Sequence, residues 1–196
     1  KMDAPALGNI SLGAADENSA HFFYYFQNFL EPSTLFYADA KALKSVKVKS
    51  LTSFFPTEKY QVQQFEAISK DGTKIPYFVV GSKNMTMNGK NPTLLYAYGG
   101  FEVPMLPSYN AVTGTAWLEN GGVYVLANLR GGGEFGPKWH QAGLKENRQR
   151  VYDDFHAVAE SLIEKKITKP EKLGIFGGSN GGLLVGVAYT QRPDLY

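Results

Sequence analysis

The tightest constraint on this chain is a short junction, GGSNGG at residues 177–182. An apolar run at 172–176 precedes it, and residues 183–191 follow with helical character. Within it Gly177, Gly178, Ser179, Asn180 and Gly181 spell G-x-S-x-G. Placed between a strand and a helix, that motif holds a serine on a cramped turn with its hydroxyl above the sheet. Side chains at the flanking positions would collide with the neighbouring strand and helix. The turn also opens a helix, whose leading N–H groups face any negative charge that develops beside the serine. In this arrangement the N–H after the serine, that of Asn180, is an oxyanion donor. The bare letters also occur by chance in loops; the strand–turn–helix context separates the two readings.

The rest of the chain fits that context. Strands are expected at 61–69 and 75–81, turning at Asp71–Gly72, and at 93–98 and 123–128. A helix is expected over 106–119, weakened by Pro107 and Gly114. A clearer one spans 151–165, where Val151, Phe155, Val158, Ala159, Leu162 and Ile163 share a face. Asp153 and Asp154 read as residues of its first turn, where the helix dipole favours negative charge. Strands alternating with helices imply an α/β fold with a mostly parallel sheet covered on both faces. Residues before about 50 differ: the aromatic stretch 21–40 reads as two strands, 21–27 and 34–38. Two strands alone are marginal in water and cannot bury so many rings, so a larger β structure is expected.

Composition narrows the function classes. Hydrophobic residues make up 43% of the chain and charged residues 19%, which suits a packed core. A formal charge of +2 gives no case for nucleic acid or an anionic membrane. With no cysteine, thiol catalysis and disulfides are excluded. No apolar run approaches the roughly 20 residues of a spanning helix. Residues 1–20 carry no signal-peptide pattern. Cytoplasmic and periplasmic or secreted placements both stay open.

Three further stretches join the serine junction: YAYGGF at 96–101, NLRGGGEFGPKWHQAG at 128–143 and YDDF at 152–155. In this order and spacing the chain resembles the prolyl oligopeptidases, a family of serine peptidases, over essentially its whole length. SNGG, in place of SAGG, favours the prolyl branch over the oligopeptidase B branch. The resemblance implies that residues 1–50 are the remnant of the last blade of a β-propeller with its linker. Residues 51–196 are then the N-terminal part of an α/β-hydrolase peptidase domain, with its doubly wound sheet. It implies that Ser179 is the nucleophile, and that the Tyr98 hydroxyl and the Asn180 N–H are the two oxyanion donors. Phe101 becomes a wall of the pocket for the residue before the cleaved bond. Ala97 stands where the family often has glycine. Taken alone, Tyr98 and Phe101 would pass as core. Gly131, Gly132, Gly133 and Glu134 match a glycine-rich loop with no catalytic role carried over. Arg130 and Glu134 read as a structural ion pair or as solvated loop charges.

The implied activity is cleavage of short peptides after proline through an acyl-enzyme, without metal or organic cofactor. The triad order in this fold is Ser, Asp, His, and only residues 180–196 follow Ser179. The three histidines, His21, His140 and His156, all precede it, His140 in an expected loop and His156 on the helix. The chain alone is therefore expected to be inactive and to be an excerpt completed by a C-terminal part of the same protein. In the family's sheet the 172–176 strand is followed by a later strand, so here it should be an apolar edge. Other readings stay open: a dipeptidyl or acylaminoacyl peptidase or an esterase of the same fold, or a non-catalytic fragment completed by a partner chain.

Overall fold

The computed structural model describes residues 7–196, so the first six residues of the segment 1–50 lie outside the described residues. Two compact units are present: residues 1–60 with 106–115, and residues 61–105 with 116–196.

The first unit holds a four-stranded antiparallel sheet in sequence order: β1 (Asn9–Ala15), β2 (His21–Gln27), β3 (Thr34–Asp39) and β4 (Lys44–Ser50). The two inner strands are the ones the aromatic pattern predicts. Alternation puts Tyr24 and Phe26 on one face with Ala38, where the Tyr24 ring stacks on Phe36 at 5.0 Å. On the other face Phe23 packs on Tyr37 at 5.2 Å. The outer strands are additions to the sequence reading. Nearly every residue of β1 and β4 is exposed, so neither carries a hydrophobic contrast to read. Their backbone ladders hold them.

The helix expected over 106–119 is shorter and differently wound. Regular turns begin only at residue 111, and Thr113–Leu118 is a π-helix. Proline at 107 has no N–H for a ladder. Gly114 lies against the Phe55 ring so closely that any side chain there would overlap it.

The second unit is a five-stranded sheet in the order β5 (Tyr60–Ile68), β6 (Lys74–Ser82), β8 (Val123–Ala127), β7 (Thr93–Tyr96) and β9 (Leu173–Phe176). Strands β8, β7 and β9 run parallel, and β6 runs antiparallel to β8. The sheet is thus parallel on one side only, which corrects the expectation of a mostly parallel sheet. The cause is the tight β5–β6 turn, where Gly72 at φ 84° donates to the Ser69 carbonyl at 2.8 Å. Such a turn reverses the chain. At the other side β9 pairs with β7 alone among the described residues, and Phe176 is exposed.

Helices α1 (Pro137–Gln141), α2 (Gln149–Glu164) and α3 (Asn180–Gln191) complete the unit. On α2, Val151, Phe155, Val158, Ala159 and Leu162 are fully buried in the main core, as their spacing predicts. The helix starts before Val151, however, and has no acidic residue in its first turn. Asp153 and Asp154 are therefore not helix-start residues.

Asp154 instead points inward and is completely buried. Its carboxylate receives Arg130 Nη2 at 2.6 Å, Arg130 Nε at 2.9 Å and the Ser69 hydroxyl at 2.6 Å. The same guanidinium reaches Asp71 at 2.5 Å and Thr73 at 3.2 Å. Arg130 is thus neither solvated nor paired with Glu134, as the sequence reading had it; it joins the end of β8, the β5–β6 turn and α2. Its burial opposes the charge, and the bonds to Asp154 and Asp71 outweigh that, raising its pKa. The Arg130 bond holds the Asp71 carboxyl well below the usual carboxylate range. Arg130→Met leaves a buried carboxylate unpaired and should cost about 3–5 kcal/mol in urea unfolding at neutral pH. Asp71 titrates lower folded than unfolded, so its contribution is complete above about pH 4 and fades as the pH falls through the folded value. The variant's stability should accordingly fall less than the wild type's on acidification.

Candidate active site

Strand β9 ends at Phe176 and α3 begins at Asn180, leaving three residues for the reversal. Ser179 takes the strained part, with φ 52° and ψ −119°. A non-glycine residue there costs ~1–3 kcal/mol and persists only where its surroundings over-determine it. The surroundings are tight. A side chain at Gly177 would overlap the Gly181 carbonyl, and one at Gly181 would come within 2.9 Å of the Ala97 carbonyl. The two outer glycines of the motif are thus explained by close backbone approach. Gly178 faces open space. The Ser179 carbonyl accepts from Gly182 at 2.9 Å and Leu183 at 3.2 Å. Its side chain makes no capping bond, and the residue is exposed. The N–H of Asn180 leads α3 and has no intrahelical acceptor.

Tyr98 lies two residues beyond the end of β7, so the strand expected over 93–98 stops earlier. It is half-buried. The Asn180 side chain bonds back to it, donating from Nδ2 to the Tyr98 carbonyl at 2.6 Å. That side chain fills the space over Gly100, where a Cβ would stand 2.5 Å from Nδ2. Arg148 Nη2 donates to Asn180 Oδ1 at 2.9 Å, and Arg148 Nη1 to the Gly99 carbonyl at 2.7 Å. Ser179, Asn180 and Tyr98 are therefore brought together beyond the C-terminal ends of the parallel strands β7 and β9. Phe101 follows in the same turn, with φ 53°, and is 74% exposed.

The glycine-rich loop closes on that turn. Gly131 has φ 89° and a Cβ there would lie 2.8 Å from the Gly99 carbonyl. The Gly131 carbonyl accepts from Glu102 N–H at 3.1 Å and lies 2.7 Å from His140 Nδ1. The Glu102 N–H also lies 3.1 Å from His140 Nδ1. The Gly131 contact belongs to the Nδ1–H tautomer and the Glu102 contact to the Nε2–H one, and in both His140 is engaged with the loop through Nδ1. It sits on the short helix α1, not in the expected loop. His156 is buried on α2, with Nδ1 3.0 Å from the Tyr196 hydroxyl and Nε2 3.4 Å from Gln191 Oε1. Burial pushes its pKa down. His21 stacks on Tyr37 in the first unit. Among the described hydrogen bonds, no histidine meets the Ser179 hydroxyl.

One residue of this neighbourhood, Arg148, escaped the sequence reading, and another, Glu134, is neither solvated nor paired with Arg130. Arg148 precedes α2 directly, at the end where the helix dipole disfavours a cation. A cation in that position is a signal that it serves something else. Glu134 accepts the Met105 N–H at 2.9 Å on Oε1, while Oε2 is buried without a partner among the described residues. Burial raises its pKa, against the Met105 bond.

A sequence model described as the prolyl oligopeptidase family matches residues 108–196. An uncharacterised peptidase of Sinorhizobium fredii is 59% identical over 196 residues, covering 100% of this chain and 27% of that protein. A prolyl endopeptidase of Elizabethkingia meningoseptica is 42% identical over 192 residues, covering 97% of this chain and 27% of its own length. A solved structure from a study of two prolyl endopeptidases superposes with a TM-score of 0.94 at 46% identity, covering 100% of this chain and 29% of that one. The chain therefore spans about a quarter of the length of the curated relatives it matches.

Gly181→Ala should force the elbow and the β7 end apart, lowering the melting temperature and any reactivity of Ser179 toward a fluorophosphonate. The same change at Gly178, which faces open space, should leave the melting temperature nearly unchanged. Glu134→Gln tests the buried carboxyl. A raised folded pKa means the neutral form's contribution is complete below the unfolded value and lost as the pH rises through the folded one. The glutamine variant should lose less stability than wild type as the pH rises from about 4, followed by urea titration.

Proposed function

The chain belongs to the prolyl oligopeptidase family, and from that premise we propose that it supplies the nucleophile and oxyanion site of a serine endopeptidase cutting short peptides after proline. It combines the N-terminal part of an α/β-hydrolase sheet with terminal propeller strands. The observation that carries the proposal is the backbone of Ser179. A serine held at φ 52° between β9 and α3, exposed and with no hydrogen bond to its hydroxyl among the described residues, is the geometry a nucleophile elbow requires.

In the proposed reaction Ser179 Oγ attacks the carbonyl carbon of the proline residue, and its proton passes to a base. The carbonyl oxygen becomes an oxyanion between the Asn180 N–H and the Tyr98 hydroxyl. Such donors act where charge develops and are commonly worth about 10²–10³ in rate each. The amine leaves with the proton, and water then releases the acyl group by the same steps. Phe101 forms one wall of the pocket for the proline. Its exposure in this chain gives it a free face for a substrate ring. In this reading residues 1–50 close a propeller blade that restricts entry to small peptides.

The base is not any histidine of this chain. His140 Nδ1 is engaged with the Gly131 carbonyl and the Glu102 N–H, and His156 is held between Tyr196 and Gln191. The proposal places the aspartate and histidine after Ser179 in a longer polypeptide, following the chain order of the fold. Losing triad members typically costs about 10⁴–10⁶ in rate. The 196-residue chain alone should accordingly show no measurable turnover of a proline-containing chromogenic peptide.

The decisive experiment uses the chain extended to the length of its relatives. That protein should hydrolyse an N-acylated Gly-Pro anilide, label with a fluorophosphonate, and lose both on Ser179→Ala. Turnover that survives Ser179→Ala would remove the nucleophile assignment. Strict dependence on a free substrate N-terminus would move the protein to the dipeptidyl peptidases.

A further inference from the structure

The hydrogen bonds around Arg148 form a bridge whose two ends are the two halves of the oxyanion site. One end is the Gly99 carbonyl, one residue past Tyr98, reached by Nη1 at 2.7 Å. The other is Asn180 Oδ1, reached by Nη2 at 2.9 Å. The Asn180 amide then closes the ring of contacts, donating from Nδ2 to the Tyr98 carbonyl at 2.6 Å. Only this orientation of the amide satisfies both neighbours, since a guanidinium can only donate and a carbonyl can only accept. Tyr152 supports the guanidinium from α2, with its hydroxyl 3.3 Å from Nε and its ring 5.3 Å from the Cζ atom.

We propose that Arg148 is a positioning residue of the oxyanion site, setting the spacing of its two donors through the side chain of Asn180. This rests on the peptidase reading above. Three observations carry it. The cation sits at the N-terminal end of α2, where the helix dipole opposes it, so helix stability does not account for its place. Its acceptors belong to two separate segments, the turn after β7 and the start of α3, and no acidic side chain is bonded to it among the described residues. Gly100 leaves room for the Asn180 amide that a Cβ would occupy. The backbone N–H of Asn180 and the phenol of Tyr98 thus hang from one hydrogen-bonded frame. A misplacement of about 1 Å in such a frame can cost on the order of a hundredfold in rate.

Asn180 acquires two roles in this reading. Its backbone N–H faces the oxyanion, and its amide side chain locks the peptide plane that carries that N–H. The planar fork of Arg148 spans two acceptors with fixed geometry. A lysine is a single point charge and cannot hold both in the same orientation.

The test compares wild type, Arg148→Met, Arg148→Lys, Asn180→Ala and the double variant Arg148→Met/Asn180→Ala, all in the chain extended to the length of its relatives. Active sites are counted by fluorophosphonate titration, so that misfolded protein does not enter kcat. Arg148→Met should lower kcat about tenfold to a hundredfold with KM within about twofold. Affinity for a peptidyl-proline boronate, which mimics the tetrahedral adduct, should fall by the same factor as kcat/KM. Arg148→Lys should fall between wild type and Arg148→Met. Because the two residues act as one unit, the double variant should be no worse than about threefold below the poorer single variant. Two results would overturn the assignment: wild-type kcat and boronate affinity in Arg148→Met, or losses in the two single variants that multiply in the double. If Arg148→Met yields no folded protein, Asn180→Ala alone decides, by whether kcat and boronate affinity fall together. A wild-type protein that neither labels at Ser179 nor turns over proline peptides would sink the peptidase reading and this inference together. An active wild type with an indifferent Arg148 sinks the inference alone.

Discussion

Backbone touching backbone is the constraint on which this site depends. The start of α3 lies against the end of β7 so closely that Gly181 has no space for a Cβ beside the Ala97 carbonyl. That approach carries Asn180 over Gly100 and lets its amide reach the Tyr98 carbonyl. It also fixes where Ser179 must turn, because the chain has only Gly177, Gly178 and Ser179 to pass from strand to helix. The strain at Ser179 is a consequence of this packing. Parallel pairing of β7 with β9, Thr93 against Leu173 through Tyr96 against Phe176, sets both segments at the same height.

Charged residues frame the site in two distinct ways. Arg130 is an internal strut: its guanidinium is saturated by Asp154, Asp71, Ser69 and Thr73, and none of its donors is left for a ligand. It holds the strand end that leads into the glycine-rich loop. Arg148 bonds mainly to carbonyl and amide oxygens, which carry no full charge to neutralise it. Buried carboxylates would make such a residue a second strut. Their absence among its bonded partners leaves its charge free to act on the field at the start of α3, beside the place where negative charge is proposed to develop.

What the sequence made legible divides along physical lines. The elbow could be read because its chemistry is local: four glycines, a serine and a helix start within six residues. The buried face of α2 and the inner aromatic strands could be read because burial imposes a period. The outer strands β1 and β4 could not, since both are exposed and carry no hydrophobic contrast. Asp154 was misread because a carboxylate near a helix start usually serves the dipole, and its partner Arg130 lies 24 residues away in the chain. Arg148 was overlooked for the same reason: its acceptors are separated from it by 49 and 32 residues. Long-range polar partnerships leave no periodic trace, and they are what organises this site.

The left-handed residues extend that argument. Phe101 and Glu102 both have positive φ in the turn after Gly99 and Gly100, and Ser179 has it at the elbow. Strain of this kind relaxes unless several contacts oppose it at once. Here the Glu102 N–H is held by the Gly131 carbonyl, the Val103 N–H by the Gly100 carbonyl, and the Gly99 carbonyl by Arg148. The loop at 131–134 thereby acts as a brace for the turn bearing Tyr98 and Phe101, although it presents no group to the proposed reaction. A brace of this sort explains why a glycine-rich loop and an elbow far apart in the chain form one structural unit.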